Sequence, residues 1–113
     1  MADLAMEITP AEVAAGLNRG EHIRLIDVRE PEEHAICHIK GAQLIPMRTI
    51  PQHLQELDVD DASGEVLCVF CHHGVRSLSV VDWLRRQGVE NCQSMTGGID
   101  RWSLEIDPQV RRY

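Results

Sequence analysis

The sequence predicts an α/β fold in which helices cover both faces of a parallel sheet. Short apolar runs alternate with helical patterns along all 113 residues, which is typical of this class. Aromatic residues make up only 4% of the chain against 43% for all hydrophobic residues, so the core must be built mainly from Ile, Leu, Val and Ala. No repeat or linker interrupts the alternation. We therefore expect a single domain over residues 1–113, with its core at about 6–105.

The first half of the chain contains three predicted strands and three predicted helices. The first helix has the clearest signal, because Thr9 is a predicted N-cap, Pro10 occupies the first helical position and Glu12 completes a capping box. Strands are predicted at residues 6–8, 24–28 and 42–45. The other helices are predicted at residues 31–36 and 49–57, followed by an acidic turn at 58–64.

The second half repeats the alternation and contains the strongest predicted strand, residues 65–70. A loop at 71–76 leads into a helix at 75–87, and a strand at 91–95 and a last helix from about residue 99 follow. Ligands of parallel α/β sheets bind beyond the carboxyl ends of the strands. The alternation alone therefore predicts that Cys71, residues 27–30 and residues 46–49 lie along one edge of the sheet.

Charge and composition exclude several classes of protein. The net charge is −7, from 11 basic and 18 acidic residues, which argues against nucleic acid or an anionic membrane as a partner. The chain has no apolar run long enough to span a bilayer, and residues 1–6 lack the features of a signal peptide. We therefore expect a soluble cytoplasmic protein whose four cysteines are reduced. We also expect a monomer, since no segment indicates a large interface.

The loop that follows the strongest strand carries the chemistry. Its sequence is Cys-His-His-Gly-Val-Arg-Ser, residues 71–77. Backbone N–H groups at the start of a helix are unpaired and attract anions, and Gly74 lets several of them converge. They would stabilise the thiolate of Cys71 over its thiol and make it a nucleophile, provided that solvent can reach it. Further positive charge would come from three other loop residues if they point inward: His72, His73 and Arg76.

Other arrangements of these residues are less favoured. A thioredoxin-like site would place its nucleophile first in the Cys-x-x-Cys pair, whereas here Cys68 lies inside the strand. A zinc site would need four tetrahedral ligands, which neighbouring residues of a tight loop cannot easily supply. Asp27 and Arg29 are expected to cap and to form an ion pair, rather than to react. The remaining candidates are expected to be surface residues without a chemical role: His22, His34, His38, His53 and Arg48.

Several segments resemble the signatures of rhodanese domains. The loop at 71–77 resembles the active-site loop of that family, and residues 27–33 and 38–42 resemble its first signature and the continuation of it. Residues 96–102 resemble its closing signature. The resemblance covers about residues 8–102, in the order and spacing of the family. Cys37 departs from the pattern, since the family often has Gly there; we expect a small buried residue rather than a second redox thiol.

The resemblance implies a rhodanese-like three-layer fold, with a five-stranded parallel sheet and helices on both faces. It also implies a thiosulfate sulfurtransferase, in which Cys71 takes the outer sulfur of a donor as a persulfide and passes it to cyanide or a thiol. The substrate-binding residues would be the rest of the loop: His72, His73, Gly74, Val75, Arg76 and Ser77, with Ser77 at the exit. The implied partners are a small anionic sulfur donor and a thiol acceptor, for which a small redox protein is a candidate. Persulfide chemistry needs neither a metal nor an organic cofactor, because backbone donors can hold its anionic outer sulfur.

Loop length favours sulfur transfer over phosphate chemistry. Six residues run from Cys71 to Arg76. The similar dual-specificity phosphatases have one residue more, which makes room for a tetrahedral phosphate, whereas the shorter loop suits a single sulfur. Two alternatives stay open: a low-turnover persulfide carrier or sensor that delivers sulfur to a protein partner, and a cysteine phosphatase or arsenate reductase.

Overall fold

Five strands form one parallel sheet in the computed structural model, which describes residues 4–58 and 63–113. The order across the sheet is β1-β5-β4-β2-β3, with β4 at the centre. The strands are β1 (Glu7–Ile8), β2 (Ile23–Asp27), β3 (Gln43–Leu44), β4 (Val66–Phe70) and β5 (Cys92–Met95). The predicted α/β class with a five-stranded parallel sheet is thus confirmed.

Helices pack on both faces of this sheet. They are α1 (Pro10–Asn18), α2 (Pro31–Ile36), a 3₁₀ helix (Met47–His53), α3 (Leu54–Leu57), α4 (Val75–Arg86) and α5 (Gly98–Glu105). The predicted capping box of α1 is present, because Thr9 Oγ1 accepts from the Glu12 amide at 3.1 Å and Glu12 Oε1 accepts from the Thr9 amide at 3.0 Å. No helix within the described residues combines the length and the apolar character that a bilayer span requires.

The alternation of side chains along β4 divides the core into two apolar clusters. Leu67 and Val69 belong to the cluster that includes Val80 and Leu84 of α4, whereas Cys68 and Phe70 pack with residues of α1 and α5. Burying a Leu or Phe side chain completely contributes about 1.5–3 kcal/mol, so both faces of the sheet hold their helices firmly. The next residue in the alternation, Cys71, belongs to the α4 cluster.

One predicted element differs from the structure. A single helix was expected at residues 49–57, but the chain forms the 3₁₀ helix first and then only one α-helical turn, α3. Pro51 lies inside the 3₁₀ helix, and a proline has no N–H to donate to an α-helical hydrogen bond. The acidic turn predicted at 58–64 falls largely on residues 59–62, and the interpretation of residues 1–6 falls partly on residues 1–3; these residues lie outside the described ranges.

The carboxyl ends of three neighbouring strands meet at one edge, as the alternation predicted. Backbone hydrogen bonds continue past the strand ends, from the Val28 amide to the Phe70 carbonyl at 3.0 Å and from the Ile45 amide to the Asp27 carbonyl at 2.8 Å. The Met47 amide then donates to the Val28 carbonyl at 3.0 Å. These bonds bring the segments after β2, β3 and β4 side by side.

Candidate active site

The sulfur of Cys71 lies at the junction of β4 and α4, within reach of two backbone donors. The Gly74 amide donates to Sγ at 3.1 Å, and the Ser77 amide donates to it at 3.3 Å. These amides belong to the loop and the first turn of α4, where no carbonyl of a preceding turn competes for them. The geometry therefore places hydrogen-bond donors around the sulfur where an anionic form would need them.

Gly74 gives the loop its curvature. Its φ is +104°, a value that side chains other than glycine rarely adopt. A Cβ atom at this residue would also lie 3.2 Å from the Gly97 amide nitrogen. Left-handed backbone at Gly74 therefore turns the chain from β4 into α4 and directs the amide of this residue toward Cys71.

The first turn of α5 holds the other side of the loop. The Ile99 amide donates to the Cys71 carbonyl at 2.9 Å, and the Asp100 amide donates to the His72 carbonyl at 3.1 Å. This approach is possible because Gly98 has no side chain: a Cβ atom there would lie 2.5 Å from the His72 carbonyl oxygen. The closing motif at 96–102 thus supports the loop through backbone contacts.

Substitution of Gly98 by alanine is expected to lower the free energy of unfolding by about 2–4 kcal/mol, since φ is +61° there and the new Cβ would clash with the loop. Gly88→Ala is the matched control, because φ is +95° but nothing lies within 4 Å of its Cβ position. That control should cost about 1–2 kcal/mol from backbone strain alone. Urea denaturation of both variants checks the difference; equal losses would contradict the close packing of α5 on the loop.

Ser77 and Ser94 form a polar floor beneath the sulfur. Ser77 is fully buried, its Oγ lies 3.5 Å from Cys71 Sγ, and it shares a 2.7 Å hydrogen bond with Ser94 Oγ of β5. Ser77 Oγ also donates to the Gly74 carbonyl at 3.2 Å. Ser77 thus follows the loop in the first turn of α4, and its buried hydroxyl lies on the core side of Cys71.

The nucleophile predicted to face solvent is almost completely enclosed, since Cys71 is 1% exposed. Its sulfur points into the α4 face of the core and is surrounded by the donors just described. Val75, in contrast, has 76% of its surface exposed and directs no side chain toward the sulfur. Any reaction at Cys71 therefore requires the loop or its neighbours to move.

Arg76 does not point at the sulfur but forms a bidentate ion pair with Glu33 of α2. The two distances are 2.7 Å and 3.0 Å. This hydrogen bonding with Arg76 lowers the pKa of Glu33 to about 2, although burial opposes the shift. The Glu33 carboxylate is thus bound to the guanidinium of Arg76, the group that was expected to bind an anionic substrate.

The two loop histidines, His72 and His73, also do not supply positive charge to the sulfur as was expected. Burial, together with the neighbouring His73, holds the pKa of His72 below its ordinary value, so His72 supplies little positive charge near neutral pH. Its ring stacks on that of Tyr113 with centroids 3.8 Å apart and planes 5° apart. The His73 side chain is 62% exposed, and its Nδ1 lies 4.0 Å from Asp100 Oδ2.

Tyr113 connects the loop to α2. Its hydroxyl donates to Glu33 Oε2 at 2.7 Å and accepts from Arg29 Nη1 at 2.9 Å, while its ring covers His72. Burial and the nearby Glu33 raise the pKa of Tyr113 to about 12, so the hydroxyl keeps its proton. Residues 71–77 therefore meet a second polar layer made of Tyr113, Glu33 and Arg29.

Arg29, which was expected to form an ion pair, binds Asp27, which was expected to cap the next turn. Both side chains are fully buried and are joined by hydrogen bonds of 2.9 Å and 2.8 Å. Arg29 also donates to the Cys37 carbonyl at 2.8 Å, which fixes the end of α2. Burial opposes the charge of Arg29, but the hydrogen bonds with Asp27 and Tyr113 prevail and raise its pKa.

The other cysteines are free thiols enclosed in the core. Burial raises the pKa of the Cys68 thiol to about 12, and it also raises the pKa of Cys92. Cys37 is 8% exposed, in agreement with the expected small buried residue. Among the described residues, no three His, Cys, Asp or Glu side chains come together as a metal site would require.

Three contributors to the site were not predicted. Glu33 lies within residues 27–33, the segment that resembles the first family signature, so there was a reason in the sequence to consider this residue. Ser94 and Tyr113 had no local signal, since Ser94 bonds Ser77 across 17 residues of the chain and Tyr113 bonds Glu33 across 80 residues. Contacts of this kind depend on the packing of whole elements.

Comparisons with known proteins show the family to which the chain is similar. The family model of the rhodanese-like domain matches residues 9–105. The chain is 36% identical over 104 residues to the thiosulfate sulfurtransferase GlpE of Haemophilus influenzae, covering 89% of the chain and 93% of that protein. A rhodanese-like domain protein from Staphylococcus aureus has a similar crystal structure, with a TM-score of 0.78, 30% identity and coverage of 96% of this chain and 99% of that one.

Some relatives are much longer. The Rhodanese-like/PpiC domain-containing protein 12 of Arabidopsis thaliana is 33% identical over 93 residues, covering 82% of this chain but 31% of that protein. The chain spans less than a third of the length of several such curated relatives. The family match nevertheless covers most of the chain, including the loop at 71–77 and the closing motif at 96–102. The chain therefore belongs to the rhodanese-like domain family.

Proposed function

We propose that this chain is a thiosulfate sulfurtransferase that works through a persulfide on Cys71. The observation that carries the proposal is the pair of backbone amides, from Gly74 and Ser77, that converge on Cys71 Sγ at 3.1 Å and 3.3 Å. Such donors favour a thiolate over a thiol, and they would equally stabilise the negative charge of a persulfide. The family membership and the GlpE relative support the same reaction class.

The reaction balances without a further reactant. The Cys71 thiolate attacks the outer sulfur of thiosulfate, a bond forms between Sγ and that sulfur, and sulfite leaves with the electron pair of the broken S–S bond. An acceptor thiolate then attacks the outer sulfur of the persulfide and releases the Cys71 thiolate. Cyanide can replace the thiol, in which case the product is thiocyanate. The natural partners would accordingly be a small anionic donor and a thiol acceptor.

Entry of the donor requires the enclosure of Cys71 to open. Glu33 holds Arg76, and Tyr113 covers His72, so an incoming anion would compete with the Glu33 carboxylate for the same guanidinium. We infer that binding displaces this carboxylate. The negative charge of the donor would then both displace Glu33 from Arg76, which opens the site, and hold the donor on Arg76.

The test is transfer of sulfur from thiosulfate to cyanide, followed as thiocyanate. Multiple turnovers would support the enzyme. The near-complete burial of Cys71 favours a second candidate, a carrier that holds sulfur for a protein partner. For a carrier, intact mass after treatment with thiosulfate would show the gain of one sulfur atom without multiple turnovers. Hydrolysis of an aryl phosphate without any sulfur transfer would contradict both.

Substitution of Glu33 by glutamine is expected to lower the KM for thiosulfate about twofold to fivefold at neutral pH, because it frees the charge of Arg76. Glu21→Gln is the matched control, since it removes the same charge from an exposed pair before β2, at the opposite edge of the sheet. An unchanged or higher KM in Glu33→Gln would contradict the competition.

The same pair gives a pH dependence. The folded-state pKa of Glu33, about 2, lies below the unfolded value of about 4.3, so the pair stabilises the fold fully above the unfolded value and loses its contribution as pH falls toward 2. The stability of Glu33→Gln should accordingly change less than that of the wild type across this interval.

A further inference from the structure

The segment that follows α5 returns to the loop at 71–77. It is anchored at Val110, which is buried in the apolar cluster that contains residues of α1 and α5. The Val110 carbonyl also accepts a hydrogen bond from Ser103 Oγ of α5. Residues 111–113, which we call the strap, belong to no helix or strand. The boundary between the anchored part and the strap therefore lies directly after Val110.

Two side chains of the strap reach the loop and its support. Arg112 Nε donates to Asp100 Oδ1 at 2.8 Å, and the Asp100 amide in turn donates to the His72 carbonyl. The Tyr113 ring stacks on the His72 ring, which follows Cys71 directly in the sequence. The strap thus lies against the loop and against the first turn of α5.

One carboxylate oxygen joins the strap to Arg76. Glu33 Oε2 accepts from the Tyr113 hydroxyl at 2.7 Å and from Arg76 Nη2 at 3.0 Å. The pKa of Arg76 is raised chiefly by its hydrogen bond with Glu33, against the effect of burial, and the charges of Cys71 and Tyr113 add to the rise. The strap, the ion pair and the Cys71 sulfur are therefore close neighbours.

The contacts of the strap are weaker than those of the other elements around Cys71. Strand β4 is paired on both sides, and α4 packs on it through fully buried side chains. In the strap, by contrast, the Arg112 side chain is 57% exposed and Tyr113 is 39% exposed. Exposed ion pairs contribute little to stability, and segments with few buried contacts open before the core does. Opening of the enclosure around Cys71 should accordingly begin at the strap.

We propose that the strap is a gate over Cys71, with Tyr113 as its latch, and that it lifts from a hinge after Val110 to admit substrates. The inference rests on the proposed function, since only a cysteine that reacts needs a gate. A closed strap would protect the thiolate, and a persulfide formed on it, from oxidants in solution. The frequency of opening would then set the rate at which Cys71 meets its substrates.

The test measures access to the sulfur without any sulfur transfer. Iodoacetamide is neutral and alkylates a thiolate, with formation of a C–S bond and release of iodide, and peptide mass analysis gives the rate for each cysteine. Tyr113→Ala should raise the rate at Cys71 at least about tenfold, because it removes the ring stack and both hydrogen bonds of the hydroxyl. Tyr113→Phe keeps the ring and should raise the rate about threefold.

A second variant tests the strap at an exposed residue, where the fold is not at risk. Arg112→Gln removes the ion pair with Asp100 and should raise the rate at Cys71 about threefold. The matched control is Arg111→Gln, which removes the same charge from the neighbouring residue. Arg111 is exposed and forms no ion pair within residues 4–58 and 63–113, so the control should leave the rate unchanged.

Two other cysteines report on unfolding in the same sample. Cys68 and Cys92 are enclosed in the core, so they react only when the whole domain opens. Their rates should stay at the wild-type value in the strap variants. The pH profile of the Cys71 rate separates access from ionisation, since a gate changes the plateau at high pH and a change in ionisation moves only the midpoint.

The outcomes distinguish this proposal from the proposed function. An unchanged plateau at Cys71 in Tyr113→Ala and Arg112→Gln, or a parallel rise at Cys68 and Cys92, would overturn the gate while sulfur transfer stands. A wild-type plateau equal to that of a free thiol would overturn it too. Absence of transfer from thiosulfate would remove the proposed function, and the alkylation rates would still decide the gate. A rise confined to Cys71 would support it.

Discussion

Replacement of Cys71 by serine is expected to abolish sulfur transfer and to leave the fold intact. A serine hydroxyl can accept the same hydrogen bonds from the Gly74 and Ser77 amides, so the loop keeps its shape. It cannot form a persulfide, and removal of a catalytic nucleophile lowers turnover by at least about a thousandfold. Thiocyanate formation from thiosulfate and cyanide measures the loss, and circular dichroism checks the fold.

The matched control is Cys68→Ala, three residues earlier in β4. Burial raises the pKa of the Cys68 thiol to about 12, so this thiol stays protonated and unreactive at neutral pH. Its loss should leave the rate of transfer within about twofold of the wild type, beyond a modest cost of cavity formation in the core. Full activity in Cys71→Ser, or equal losses in the two variants, would remove Cys71 from the mechanism.

Replacement of Asp27 by alanine should cost about 3–5 kcal/mol of the free energy of unfolding, because it leaves the buried guanidinium of Arg29 without its counter-charge. The whole free energy of unfolding of a domain is about 5–15 kcal/mol, so this loss is a large share of it. The midpoint of urea denaturation measures the effect. The site would be affected as well, since Arg29 also holds the Tyr113 hydroxyl and the end of α2.

The control is the same substitution, Asp to Ala, in an exposed ion pair. Asp82 and Arg86 are bonded on the surface of α4 at 3.0 Å, with side chains 51% and 74% exposed. Asp82→Ala should therefore cost no more than about 1 kcal/mol. If Asp27→Ala lowered the free energy of unfolding by no more than Asp82→Ala, Arg29 would be adequately solvated or paired without the Asp27 carboxylate, and the prediction would be wrong.

Local signals predicted most of the fold. The capping box at Thr9 and Glu12 and the apolar run before Cys71 each determine structure over a few residues, and the structure contains both features. The helix expected at 49–57 was wrong because the prediction gave too little weight to Pro51. That proline was visible in the sequence, and its effect on helical hydrogen bonding was predictable.

The site was predictable only as far as the backbone of the loop. Cys71 and Gly74 hold positions that follow from the strand-to-helix turn itself. The directions of the loop side chains depend on distant residues: Arg76 turns to Glu33, and His72 stacks on Tyr113. The nearly complete burial of Cys71 has the same origin, since no pattern within residues 71–77 shows what packs around them.

The order of the strands has a consequence for synthesis of the chain. Among the five strands that residues 4–58 and 63–113 form, β1 is made first, yet its one neighbour in the sheet is β5, which is made last. A nascent chain that has emerged only through α4 contains no partner for β1 among these strands, and one side of β4 is still unpaired by them. Ser94, which lies in β5 and bonds Ser77, is missing from such a chain too. Loop closure between distant segments is slow, so the floor beneath the Cys71 sulfur is completed only after the ribosome has added the last strand.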